Sequence, residues 1–291
     1  MSSQSSLRQN HKIELVIRAA SDLGRERSNN EDAFAVADAL TGINEQDVEG
    51  NFEISERPML LAVTDGMGGE NAGEVASGLT LASLRRAIAK ELPRGETADV
   101  LRAAIEYANA VVTGAARTPG REGMGATLVT AIVQGAEATI GCVGDSRIYI
   151  LRNGHLSQLT KDQSFIQYLI DSKAIKSDEI ASFPHKNIIL QAVGRAENLN
   201  VPIARIALRR GDVLLLCTDG LTGEVADDKI RDILATNRID AACKKLIEAA
   251  NANGGHDNIT VIVASIDGDG VPAAAADEIC PQLVSVPSKK G

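Results

Sequence analysis

The 291-residue chain has no tryptophan, and four phenylalanines with three tyrosines make up its 2% of aromatic residues. Aromatic packing is therefore excluded as the basis of the core. The 44% apolar content must fill it through Val, Ile, Leu and Ala. Four cysteines, Cys142, Cys217, Cys243 and Cys280, form no C-x-x-C pair, which argues against a thiolate zinc site. Cys142 and Cys217 sit in apolar runs and read as small core residues, so a reducing, cytoplasmic setting is expected. The four histidines, His11, His155, His185 and His256, have no H-E-x-x-H or comparable ligand spacing, and no Ser/His/Asp triad can be assembled from them. Basic residues are outnumbered, 30 against 39 acidic, for a net charge of −9. That balance opposes nucleic-acid binding, which needs Lys and Arg to displace counterions. It leaves phosphorylated substrates open, because a bound cation can reverse the local field. No run approaches the roughly 20 apolar residues of a membrane-spanning helix. Met1 to Asn10 also lacks the apolar stretch of a signal peptide, so a soluble protein without a membrane partner is expected.

What is present is a succession of short apolar segments, with no internal repeat. Residues 1–12 form a polar extension. Ile13–Ala20 is a strand candidate, followed by a dense polar loop from Ser21 to Asp32 (SDLGRERSNNED) and a short apolar run, Ala33–Ala37. Asp38 to Pro58 reads as a long connection, and Met59–Val63 as a buried strand. Leu81, Leu84, Ile88 and Leu92 recur at helical spacing until Pro93 and Gly95, and Leu101, Ile105, Ala108 and Val112 mark a second helix. Ala126–Val133, Ala138–Val143 and Arg147–Leu151 are strand-like, with Asn153-Gly154 as a hairpin signal. Short helical patterns occupy 161–186. Ile188–Val193, Val201–Leu208 and Val213–Cys217 read as strands, Asp227–Leu234 and Asp240–Asn251 as helices, and Ile259–Ile266 as a last strand. From Asp267 to Gly291, Gly, Pro, Ala and Ser dominate, which predicts a mobile tail. Strands cluster with strands and helices with helices, the pattern of an α+β fold.

One arrangement repeats. LLAVTDG places Asp65 after an apolar strand, TIGCVGD does the same for Asp145, and VLLLCTDG for Asp219, while Asp257 stands just before Ile259–Ile266. Strand ends can converge at one end of a sheet, and converging carboxylates repel unless cations intervene. Oxygen ligands of this kind suit Mg²⁺ or Mn²⁺, with Gly66 as a candidate carbonyl donor. A cation pair lowers the pKa of a shared water and supplies hydroxide near neutral pH. An isolated Asp-Gly is more often a turn than a ligand. Three strand-end Asp residues plus Asp257-Asn258 weaken that plainer reading. Arg27, beside Glu31 and Asp32, offers a guanidinium fork suited to phosphate oxygens, or a solvated surface charge. Gly66 to Gly69 follows a strand and precedes a helix, yet has neither G-x-G-x-x-G spacing nor a Gly-Lys-Ser/Thr ending, so a nucleotide-binding enzyme is disfavoured.

Taken in order, SDxGxxRxxNED (21–32), VTDGMGG (63–69) with AGEVAS (72–77), GATLV (125–129), VGDSR (143–147), LCTDGL (216–221) and DNITV (257–261) resemble the metal-dependent protein phosphatases, or protein phosphatase type 2C. The resemblance runs from about Ile13 to Ile266, and the bacterial branch is the nearest match. It implies a four-layer αββα sandwich of two antiparallel sheets flanked by helices, with the phosphatase domain at 13–266 and metals at one end. By the same resemblance Asp65 bridges two Mn²⁺ or Mg²⁺ ions, Gly66 offers its carbonyl, and Asp219 and Asp257 complete the pair. Asp145 holds a weaker third ion. Asp32 hydrogen-bonds metal waters, with Glu31 and Asn258 around it, and Arg27 holds the phosphate. A flap at about 161–186, opened by Asp162, Gln163 and Ser164, shapes substrate choice. The activity implied is hydrolysis of phosphoserine and phosphothreonine proteins by a bridging water in line with the leaving oxygen, with no phosphoenzyme. An opposing Ser/Thr kinase is the implied partner. A catalytically weak phosphoprotein-binding or sensor protein on the same fold is the alternative, and loss of a metal Asp would favour it; none is missing.

Three positions depart from the family pattern. Met67 stands where many eukaryotic members carry a His proposed to protonate the leaving group, and it cannot donate a proton. Glu70 stands where bacterial members often have His, and Asp162-Gln163 replaces a frequent Asp-His. The ligand set is untouched by these changes, which bear on substrate preference and pH dependence.

Overall fold

The computed structural model describes residues 12–44, 49–54, 57–68, 72–175, 188–195 and 197–288. The strands are β1 (Glu14–Asp22), β2 (Asp32–Asp38), β3 (Glu49–Glu53), β4 (Met59–Met67), β5 (Gly125–Ala126), β6 (Leu128–Gln134), β7 (Glu137–Val143), β8 (Arg147–Arg152), β9 (His155–Gln158), β10 (Ile203–Ala207), β11 (Val213–Cys217), β12 (Ile259–Asp267) and β13 (Val284–Ser285). The helices are α1 (Ala72–Glu91), α2 (Thr97–Ala115), α3 (Phe165–Asp171), α4 (Asp219–Thr222), α5 (Asp227–Thr236) and α6 (Ile239–Ala252). One sheet runs β3-β1-β12-β11-β8-β9, and the other β13-β10-β7-β6-β4-β2. Every ladder between these strands is antiparallel.

Strand periodicity of two explains the layering. Along β4, Met59, Leu61 and Val63 face the opposite sheet, while Leu60 and Ala62 face α1 and α2. Along β12, Ile262, Ala264 and Ile266 enter the intersheet core, while Ile259, Val261 and Val263 meet α5 and α6. Central strands are thus buried on both faces, which is why they read as unbroken apolar runs. The result is the expected αββα sandwich. Leu81, Leu84, Ile88 and Leu101, Ile105, Ala108 pack into the layer between the first two helices and their sheet, as their spacing predicts. At Asn153-Gly154 both residues have positive φ, 48° and 78°, matching the twist of the β8–β9 hairpin.

Three expectations are corrected. The connection 38–58 contains β3, whose sequence EGNFE has no apolar pattern and which pairs at an edge with β1. Ile188–Val193 is no regular strand; it is extended chain held by single bridges, Ile189 to Ser164 and Val193 to Ala126. Within the segment read as a tail, residues 268–288 pack against the sandwich. Val271 is buried in the intersheet core, β13 pairs with β10, and Arg102 donates to the carbonyls of Val201 and Val286. The polar extension up to residue 11, Glu70, and the flap between 176 and 187 lie outside the described residues.

The strap from 268 to 288 is fastened to a buried charge. Arg152 is 1% exposed and donates to both oxygens of Asp212 (2.9 and 2.6 Å), to the Ala207 carbonyl (2.8 Å) and to Glu278 (2.6 Å). Glu278 also accepts from Arg209 at 3.0 Å. Removing one partner of a buried pair leaves an uncompensated charge, at a cost of about 3–5 kcal/mol. Asp212→Ala is therefore expected to lower unfolding stability by about 3–5 kcal/mol in urea titration. An unchanged midpoint would show that Arg152 finds compensation elsewhere.

Candidate metal centre

The strand ends meet at one end of the sandwich. In the second sheet, Val63 pairs with Val129 and Leu128 with Val143, so the C-terminal ends of β4 and β7 reach the same margin on either side of β6. Asp32 opens β2 directly opposite Asp65. In the first sheet, Cys217 pairs with Val261, which sets Asp219 and Asp257 just beyond the same margin. Asp32, Asp65, Asp145, Asp219 and Asp257 are thereby gathered from both sheets.

Hydroxyl groups fix the backbone around them. The amide of Asp65 donates to Thr127 Oγ1 at 2.9 Å, Thr127 returns its own N–H to the Asp65 carbonyl at 2.8 Å, and its hydroxyl meets Ser146 Oγ at 2.7 Å. Thr218 Oγ1 donates to Asp32 Oδ2 at 2.9 Å and accepts from the amide of Thr260 at 3.0 Å. Gly66 has no room for a side chain, since a Cβ there would lie 2.2 Å from the Gly73 carbonyl oxygen and 2.5 Å from that of Glu31.

The electrostatics are those of crowded like charges. Burial, and then the charges of Asp32, Asp219, Asp257 and Asp145, hold the Asp65 carboxyl well above its usual range. Burial, then Asp219 and Asp257, pushes Asp32 up to about 7 against the hydrogen bonds of Thr260 and Thr218. Burial, then Asp219 and Asp162, pushes Asp145 up to about 7. Asp219 is raised by burial and by Asp257, although its contact with Asp65 and the charges of Arg27 and Arg147 pull the other way. One buried oxygen each of Asp32, Asp145 and Asp219 has no hydrogen-bond partner.

These features fit a divalent cation. Orphaned, buried carboxylate oxygens with raised pKa values bind either protons or metal. Among the described residues no three such side chains close into a finished cage. Mg²⁺-like ions do not require one, because they keep several waters and take only one or two carboxylates directly.

The Arg27 loop is latched to the same end. Asn258 accepts from the Glu31 amide at 2.8 Å and donates to the carbonyls of Leu23 and Asn29, both at 3.0 Å. Its side-chain amide holds that loop in place beside the carboxylates. Arg27 Nη2 lies 2.7 Å from Asp257 Oδ2. Glu31 is half-buried beside Gly73, its carboxyl raised by burial against the pull of Arg27.

Asp162, Gln163 and Ser164, expected to open the flap, have defined partners. Asp162 pairs with Arg147 at 2.7–3.1 Å, and Arg147 continues to Tyr149 at 2.9 Å. Gln163 clamps the backbone of Gly144, next to Asp145: its amide donates to the Gly144 carbonyl at 2.8 Å, and its Oε1 accepts from the Gly144 amide at 3.0 Å. Ser164 caps α3, accepting from Gln167. None of the three lines the cleft. That cleft, of about 710 Å³, is walled by Arg27, Glu31, Asp65, Gly66, Met67, Asp219 and Asp257, and by the chain from Ile188 to Ala192 with Arg195. Arg195 carries no local sequence signal, because only the bridge from Val193 to Ala126 brings it to the site.

An αββα sandwich with acidic strand ends gathered in this way is the framework of the metal-dependent Ser/Thr phosphatases of bacteria. A solved catalytic domain of the phosphatase PstP, in complex with two manganese ions, superposes with a TM-score of 0.73 at 34% identity, over 88% of this chain and 99% of that one. The family profile for protein phosphatase 2C matches residues 37–260, and the chain belongs to that family. It is 36% identical to the serine/threonine protein phosphatase PstP of Mycobacterium tuberculosis over 88% of its own length, but it spans 46% of that relative. It is also 36% identical to the serine/threonine phosphatase stp of Listeria welshimeri, over 83% of this chain and 92% of that one.

Without divalent cations, folded Asp32 and Asp145 keep protons up to about pH 7, whereas an unfolded Asp releases its proton near about 3.9. Between those values the folded state binds more protons, so stability falls as pH rises through that window. Melting of the metal-free protein is expected at lower temperature at about pH 7 than at about pH 5. Mn²⁺ displaces the protons, and its stabilising effect is expected to be larger at about pH 8 than at about pH 5. Equal Mn²⁺ shifts at both pH values would separate these carboxylates from cation binding.

Proposed function

We propose that this protein is a phosphoprotein phosphatase that hydrolyses phosphoserine and phosphothreonine with Mn²⁺ or Mg²⁺ as cofactor. Two ions in the main centre and a weaker third beside Asp145 are the reading we favour. The observation that carries it is the set of crowded, mutually repelling carboxylates, three with a buried orphaned oxygen, of which Asp65, Asp219 and Asp257 line a cleft that also holds Arg27. Asp65, Asp219 and Asp257 would hold the ions, with the Gly66 carbonyl beside them. When bound, divalent cations lower the pKa of water and offset the charge of a phosphoryl group.

The remaining chemistry falls to the chain's own groups. Arg27 engages Asp257 through Nη2 and keeps further N–H donors for phosphate oxygens. Its loop is rigid where it meets Asn258, so the guanidinium is oriented before substrate arrives. Asp32 is fixed by the Thr218 hydroxyl on one oxygen, leaving the other to orient a water or hold a proton near neutral pH. Met67 lines the cleft and supplies no proton, so protonation of the leaving oxygen rests on other groups. The substrates are phosphoproteins, an opposing Ser/Thr kinase is the natural partner, and the cytoplasm is the natural setting. Among the described residues no helix is long and apolar enough to cross a membrane.

Phosphate release from a phosphothreonine peptide is expected to require Mn²⁺ or Mg²⁺ and to drop by more than about 100-fold in Asp219→Asn. The circular dichroism of the variant should match the native protein. Full activity in Asp219→Asn would remove that residue from the centre, and cation-independent release would overturn the metal mechanism. Arg27→Ala is expected to raise KM by about 10- to 100-fold, the worth of a charge-assisted hydrogen bond, with a smaller fall in kcat. An unchanged KM would exclude Arg27 from phosphate binding.

A further inference from the structure

The cleft contains two arginines from separate walls. Arg27 belongs to the loop latched by Asn258, and Arg195 to the chain that follows Val193. Their surroundings differ. Arg27 is shared with Asp257, whereas among the described residues no carboxylate pairs with Arg195. The contact of its guanidinium is Nη1 to Met67 Sδ at 3.4 Å.

Arg195 is nevertheless a positioned cation. Val193 and Ala126 exchange two backbone hydrogen bonds, 2.8 and 2.9 Å, and the Gly194 amide donates to Asn109 Oδ1 at 2.7 Å. The Arg195 amide closes a turn onto the Ala192 carbonyl at 3.2 Å. Its aliphatic stem lies over Gly125, where a Cβ would come within 2.5 Å of Cγ and 2.8 Å of Cδ. Since β5 pairs Gly125 with Met67 and Ala126 with Gly66, the guanidinium stands one strand away from Asp65. In a chain of net charge −9, this guanidinium, with no carboxylate partner among the described residues, stands at the margin of a cleft lined by Glu31, Asp65, Asp219 and Asp257.

We propose that Arg195 is a specificity-determining residue that binds a second anionic group of the substrate, a carboxylate or phosphoryl side chain close to the phosphorylated residue. This rests on the phosphatase reading and deepens it. The favoured substrate class is a phosphopeptide with an anionic neighbour. A guanidinium with donors to spare, and no ion pair among the described residues, gains from such a contact without breaking one of those. Exposed Ile188 and Leu190 line the same wall with Gln191, so among the described residues of that wall Arg195 is the charged group a neighbouring anion would meet.

The test uses four phosphothreonine peptides of one length, whose neighbouring residue is Ala, Glu, a second phosphothreonine or Lys, with Mn²⁺ present. The native protein is expected to favour the Glu or phosphothreonine peptide over the Ala peptide by about 3- to 10-fold in kcat/KM. Those two arms distinguish a carboxylate from a phosphoryl ligand. Arg195→Ala is expected to collapse that ratio to near one, and Arg195→Glu to turn it toward the Lys peptide. Equal use of all four by the native protein would overturn the proposal. So would a loss in Arg195→Ala that is the same for the Ala peptide and for p-nitrophenyl phosphate, since that marks a general structural role or contact with the scissile phosphate. No release from any substrate would fail the phosphatase reading itself. Fluorescence anisotropy of the labelled peptides then judges Arg195 separately, with equal affinity for the Ala and Glu peptides counting against it.

Discussion

Five carboxylates at one end of a sandwich cannot all be charged and buried without something positive between them. The contact of Asp65 with Asp219, and the orphaned oxygens of Asp32, Asp145 and Asp219, set a constraint that the rest of the structure serves. Two sheets are needed, because a single sheet edge could not present Asp65 and Asp257 to the same space. The registers of β4 with β6 and of β11 with β12 align the strand ends. The three apolar layers resist the repulsion, since they can be rearranged only by moving whole sheets.

Around that acidic centre lies a second level of organisation made of uncharged groups. Thr127, Ser146, Thr218 and Thr260 are buried hydroxyls that fix the backbone and one carboxylate without adding charge. Hydroxyls suit the position because each can donate or accept as its neighbours require. Asn258 does the same for the arginine loop through three hydrogen bonds. The site is therefore held by groups that are indifferent to pH, while the groups it presents are sensitive to it.

Much of this was legible in the sequence, for identifiable reasons. Doubly buried strands such as Met59–Val63 and Ile259–Ile266 announce themselves as apolar runs, and the Asp residues after them mark strand ends directly. The six ordered motifs pointed to the family. β3 escaped because an edge strand of sequence EGNFE buries too little to show a pattern. Ile188–Val193 has strand composition, yet it pairs only at single residues, and composition does not report pairing. Arg195 was missed, and the contacts of Gln163 and Asp162 could not be read, because they depend on partners distant in sequence: Ala126, Gly144 and Arg147. The tail was misread because Gly, Pro, Ala and Ser describe its local flexibility and say nothing of Glu278 reaching Arg152.

That strap also guards the molecule against its own copies. β10 is flanked by β7 on one side, and on the other two residues of β13 cover part of what would be an open strand edge. An open edge is a template for pairing with another chain. Glu278 and β13 lie on one short stretch, so peeling it back would expose a buried arginine and a bare strand together. Damage to the last twenty residues or so of the described chain would thus appear first as self-association, with the acidic end of the sandwich still intact.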